Sequence, residues 1–251
     1  MGLMSRLVVF GDSFADRRAQ EITWPKLLSS KFGVPVKYYS LAATNLEYTS
    51  TKLFDYLEND YQETDIIVVV LTSCYRAPIV HDAYYPSWST LYKFIVGDDE
   101  LLEKLDNPFV TEHFKEHEEY YKTWLKFFNP AIHKSQCYFI AKAVNSLPNK
   151  KLVLSAFEDS DPTNDNNRPE CHPCGNLMVA SENEHISGKS GEHFRGKIKT
   201  RTGKLGSWDA RPNHLHEDNH YILADYMYEC LQYNYSPLSS VKFKTDLFKE
   251  D

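Results

Sequence analysis

The chain has no apolar stretch approaching the roughly 18 residues that a membrane-crossing helix needs. Its first residues, MGLMSRLVVFGDS, lack the plan of a signal peptide, because a short apolar run leads directly into polar residues. Arg6 stands where N-myristoylation calls for Ser or Thr, so Gly2 is not expected to carry a lipid. These absences set the expectation of a protein made and folded in a cytoplasm, without a membrane partner. A disulfide framework is missing too, since the five cysteines fall at irregular spacing. Positive charge is scarce: 28 Lys and Arg stand against 35 Asp and Glu, for a net charge of −7. That balance argues against a general nucleic-acid binder, which needs clustered cations for phosphate contacts. The strongest basic cluster, Lys197, Lys199, Arg201 and Lys204, is interleaved with Gly and Thr and reads as a solvated hairpin or loop. A glycine-rich phosphate loop is absent, because Gly11 stands alone after its strand. No internal repeat or interdomain linker is visible.

What is present is ordinary for a globular protein: 42% hydrophobic and 25% charged residues over 251 positions. A chain of this length buries a sizeable core without staples. Aromatic residues are plentiful at 14%, and either line a carbohydrate or apolar ligand site or fill the core. Residues 6–10, 36–39, 66–71 and 151–154 form short apolar runs. The first and third are nearly continuous and rich in β-branched residues, as strands of a parallel sheet covered on both faces are. Helical spacing recurs between them, at 24–32, 46–61, 113–128, 131–145 and 221–233. The alternation predicts one α/β domain over 1–251, with a doubly wound, mostly parallel sheet between helices. Two segments break it. Residues 76–135 begin with an aromatic stretch holding Tyr84, Tyr85, Trp88, Tyr92 and Phe94, and read as a helical insertion. Residues 159–204 form a long polar, turn-rich loop. Both follow predicted strand C-termini, the edge where open α/β sheets bind ligands.

Gly11-Asp12-Ser13 closes the first strand. Gly11 permits a tight turn, Asp12 is placed to brace it, and Ser13 falls near the next helix, where backbone N–H groups can stabilise an oxyanion. The same serine can be a helix cap. A nucleophilic serine needs a base and a group to orient that base. Near the other end, Trp208 to His220 reads WDARPNHLHEDNH, with Asp209 and His214 just ahead of an amphipathic helix.

These two blocks resemble those of the GDSL esterase, or SGNH hydrolase, family. Asp209-Ala210-Arg211-Pro212-Asn213-His214-Leu215 is similar to the Asp-x-Arg-x-Asn-His-Leu variant of divergent members such as those in phage genomes. The resemblance covers the whole chain in layout and two motifs closely. It implies a flavodoxin-like three-layer sandwich in which Ser13 attacks an ester carbonyl. His214 serves as base and then acid, Asp209 orients it, and the Ser13 N–H forms part of the oxyanion hole. It also implies an association with the virion if the source is a phage. Three departures stand out. The acid lies five residues before His214, so a backbone carbonyl is an alternative orienting group, and His216 is a rival base. The second block's glycine is absent from Ser40-Leu41-Ala42-Ala43-Thr44-Asn45, which leaves the Ala43 N–H as a donor. The third block's asparagine is absent from Leu71-Thr72-Ser73-Cys74, which leaves Asn45, Thr72 or Ser73 to supply a side-chain donor.

Other constellations are weaker. Cys171 and Cys174 form a CxxC without a second pair; a turn held by Pro173 and Gly175 is the plainer reading, and a structural zinc with His185 and His193 the minority one. Cys74 reads as a small buried thiol. His81, His113, His117 and His133 lie in or beside the insertion; His113 and His117 are four apart, but Phe114 occupies the place of the HExxH glutamate, so they read as a solvated helix face. Arg17 and Arg18 read as exposed helix residues, with binding of an anionic substrate group as the alternative. The expected function is hydrolysis of an ester, with a small acyl group such as acetyl on a carbohydrate as the substrate class and no cofactor. Acyl transfer would use the same residues. The rival is a catalytically degenerate SGNH fold that binds a glycan or a protein.

Overall fold

A computed structural model of the chain describes residues 5–12, 14–15, 22–41, 44–72, 116–127, 129–155 and 217–233. In chain order these form β1 (Leu7–Gly11), α1 (Trp24–Phe32), β2 (Val36–Ser40), α2 (Leu46–Asn59), β3 (Ile66–Leu71), α3 (Glu118–Phe127), α4 (Pro130–Asn145), β4 (Lys150–Ser155) and α5 (Glu217–Tyr233). The four strands make one sheet in the order β2-β1-β3-β4, and every pairing is parallel. The register aligns Leu7 with Val36 on one side of β1 and with Ile66 on the other. The architecture is a mixed α/β sandwich.

Alternation along the strands explains why the apolar runs are continuous. Successive side chains point to opposite faces. Leu7, Val9, Ile66, Val68, Val70, Leu152 and Leu154 therefore enter one core, with Trp24 and Leu28 of α1 and Leu223, Ala224, Met227 and Leu231 of α5. Val8, Phe10, Ile67, Val69, Leu71 and Val153 enter the other, with Leu53 and Tyr56 of α2 and Cys137, Ile140, Ala141 and Val144 of α4. Each side chain fully withdrawn from water contributes about 1.5–3 kcal/mol relative to leaving it exposed.

Chain direction explains which helix covers which face. From β1 the chain steps to β2 on one side, then crosses back over β1 to reach β3. Crossovers that share a hand but run in opposite directions leave their helices on opposite faces. Accordingly α1 packs into one core and α2 into the other, and α4, on a connection running the same way as that of α2, joins α2. The reversal puts a topological switch point between β1 and β3, and open α/β sheets bind ligands at the strand C-termini beside such a point.

Candidate active site

The C-terminal end of β1 turns at Gly11, whose φ of +142° is a conformation L side chains rarely adopt. The glycine also lies against β3: a Cβ there would stand 2.9 Å from the Val70 Cβ and 3.0 Å from its carbonyl oxygen. The next residue, Asp12, is fully buried. A buried carboxyl group needs hydrogen-bond donors to offset its lost hydration. Asp12 Oδ1 accepts the Phe14 N–H at 3.0 Å, and Thr72 Oγ1, just beyond β3, donates to Oδ2 at 2.5 Å. The Asp12 carbonyl accepts the Ala15 N–H at 3.0 Å, which closes the turn 12–15. Asp12 thus braces this turn, as its place after the strand suggests.

Neighbouring elements pin the same turn. The Gly11 carbonyl accepts the Leu41 N–H at 3.1 Å, and Ser40 Oγ donates to the Ala15 carbonyl at 2.7 Å. The indole N–H of Trp24 donates to the Phe14 carbonyl at 2.6 Å. The backbone N–H of Trp24 donates to Nδ1 of buried His220, in the first turn of α5, at 3.2 Å. From the other face, His133 near the start of α4 places Nε2 3.0 Å from the Thr72 carbonyl. That contact requires the ring proton on Nε2. Ser13 lies outside the described residues, but Asp12, Phe14 and Ala15 around it are held from β2, β3 and α1.

Asn45 and Thr72 both stand at this sheet edge, with their side chains engaged. Asn45 caps α2: Oδ1 accepts the Tyr48 N–H at 3.0 Å, and Nδ2 donates to Glu47 Oε2 at 2.9 Å. The single hydroxyl proton of Thr72 goes to Asp12. Ala43, Asp209, His214, Cys171 and Cys174 lie outside the described residues, as do 76–115 of the expected insertion and all of the 159–204 loop. Among the described residues, no three His, Cys, Asp or Glu side chains are grouped to hold a metal ion, and no helix is long and apolar enough to cross a membrane.

Sequence reasoning named His133 only as lying in or beside the insertion, and gave His220 no role. A signal for the first exists. His133, Cys137, Ile140, Ala141 and Val144 share one stripe of α4, which puts His133 on the buried face at the end nearest the strand C-termini. His220 offers no such clue, because its partner lies in a helix 196 residues away.

No protein-family model matches the chain, and no curated protein is found to match it.

Proposed function

We propose that the protein is a serine ester hydrolase of the SGNH kind, built on a flavodoxin-like three-layer sandwich, with Ser13 as nucleophile, His214 as base and Asp209 as the orienting acid. One observation carries this reading. The turn after β1 and the first turn of α5 are joined through Trp24, so Phe14 and His220, described residues beside the two motifs, meet at one end of the sheet. His214 is six residues from His220, so the chain allows at most about 22 Å between them. The switch point between β1 and β3 supports a ligand site at this edge.

Ser13 Oγ attacks the ester carbonyl carbon while His214 removes its proton. The tetrahedral oxyanion is stabilised by the Ser13 N–H, with the Ala43 N–H as second donor at the approach to α2. Collapse expels the alcohol, which leaves with the proton held by His214. Water then enters by the same route and releases the acid and free Ser13. The substrate class is a small acyl ester, such as an acetyl group on a glycan, and a second alcohol in place of water makes the reaction an acyl transfer.

Hydrolysis of p-nitrophenyl acetate, butyrate and octanoate tests this. Ser13→Ala and His214→Ala are each expected to lose about 10³-fold or more in kcat/KM, as members of one catalytic unit do. Asp209→Ala separates an acid at that position from a backbone carbonyl in its place. Wild-type turnover equal to that of Ser13→Ala, together with failure of a fluorophosphonate to label Ser13, overturns the proposal. A second reading then takes over: a degenerate site that binds a glycan or a protein. The commitment of the single Thr72 hydroxyl proton to Asp12 favours that reading.

A further inference from the structure

We infer that His133 is a positioning residue for the turn that carries Ser13, acting through Thr72 and Asp12; the catalytic part of this inference rests on the function proposed above. Three hydrogen bonds run in series. His133 Nε2 meets the Thr72 carbonyl at 3.0 Å, Thr72 Oγ1 donates to Asp12 Oδ2 at 2.5 Å, and Asp12 Oδ1 accepts the Phe14 N–H at 3.0 Å. The links cross from α4 to the end of β3 to the end of β1, over separations of 61 and 60 residues. Asp12 and Thr72 are fully buried, and His133 is only 9% exposed.

Burial gives the series its stiffness. Burial keeps bulk water from replacing a lost partner, so breaking any of these three bonds is costly. Thr72 follows the last residue of β3, so its carbonyl lies beyond the β3–β4 register. The imidazole is a rigid donor that fixes the orientation of that carbonyl and of the residue bearing it. The Thr72 hydroxyl then selects the rotamer of Asp12, and Asp12 sets the Phe14 N–H. Asp12 and Phe14 flank position 13 in the chain, so a change at α4 reaches the residues on both sides of it.

The test compares His133→Leu with His133→Gln, whose amide nitrogen restores a donor at a similar reach, and adds Thr72→Val. Two readouts are taken on the full chain: amide exchange at Phe14 by NMR and steady-state turnover of p-nitrophenyl acetate. The Tyr48 N–H, which is bonded to Asn45 Oδ1, serves as the control for general loosening. In His133→Leu, exchange at Phe14 is expected to quicken about tenfold or more relative to Tyr48. The value of kcat is expected to fall about 10–10²-fold with KM little changed, as for a misplaced reacting group. Gln restores most of both losses, and the double variant with Thr72→Val is no worse than the poorer single variant, because the two act in one series.

The inference is overturned if Phe14 exchange rises no more than that of Tyr48, if Leu and Gln are equally impaired, or if Phe14 loosens while Ser13-dependent turnover is unchanged. Failure of the esterase proposal shows itself separately, as wild-type turnover equal to that of Ser13→Ala. In that case the exchange ratio alone decides whether His133 holds the turn.

Discussion

At position 11 a side chain meets two obstacles, the backbone angle and the wall of β3. Glycine accepts φ of +142° readily, whereas a substituted residue in such a region carries about 1–3 kcal/mol of strain. The added Cβ would also press on Val70 at 2.9 Å, and that contact involves the base of a buried strand side chain rather than a flexible tip. Gly11→Ala is therefore expected to destabilise the fold by about 1–3 kcal/mol or more, seen as a lower urea midpoint with an unchanged slope. An unaltered midpoint would show that the turn relaxes freely, against the close packing described for it. A turn glycine was legible here from the strand that precedes it and the polar residues that follow. Its contact with Val70 was not, because the two are neighbours only once β1 and β3 have paired.

The start of α1 shows how one element depends on another. Its N-cap residue, Thr23, makes no side-chain capping bond, and Pro25 has no N–H to satisfy. The Trp24 N–H is instead satisfied by His220 of α5, inside a contact lined by Leu28, Leu223, Ala224 and Met227. The exposed Lys31–Asp225 pair at 2.6 Å adds little to this docking, since solvent screens it. His220→Leu leaves a buried donor without its acceptor, which costs about 1–3 kcal/mol. Urea unfolding followed by tryptophan fluorescence measures the loss, and a change below about 0.5 kcal/mol, ordinary for a surface substitution, would mean that this bond does not hold α1 to α5.

Across the whole molecule, the two ends of the sheet are built differently. The C-terminal edge carries the braced turn and the candidate site. The opposite edge is locked by charge. Arg6 grips buried Asp65 with two bonds, at 3.0 and 2.7 Å, and reaches Asp60 at 3.2 Å. Lys37 Nζ sits 2.7 Å from Asp60 Oδ2, the Tyr39 hydroxyl donates to the same oxygen at 3.0 Å, and Tyr56 donates to Asp65 at 2.9 Å. The Lys37 hydrogen bond, with help from Tyr39 and Arg6, lowers the Asp60 carboxyl to about 2. Its folded value thus lies below the unfolded one, near 4. Stability from this group is present above about pH 4 and is lost as pH falls toward about 2. Asp60→Asn is expected to be less stable at neutral pH and to lose less between pH 4 and 2, measured as urea unfolding free energy at several pH values. Parallel curves for the two proteins in that window would rule out Asp60 as a source of the acid sensitivity.

The sequence by itself determined the strands and most of the helices. A continuous β-branched run such as 66–71 reads as a buried strand, and the stripe through Trp24, Leu28 and Phe32 marks α1. The start of α5 was harder to see. It begins at Glu217 rather than 221, because Glu217, Asp218 and Asn219 make a polar first turn with no apolar stripe, though acidic residues suit a helix N-terminus. Of the candidate site, Gly11, Asp12 and Thr72 were legible as positions at a strand end. Only the tertiary structure decided that the Thr72 proton goes to Asp12, that His133 meets the Thr72 carbonyl, and that His220 reaches this edge at all. Periodicity records which way a side chain faces within its own element. It carries no trace of hydrogen bonds between residues 60, 61 or 196 positions apart, which exist only after the sheet has assembled and closed the distance.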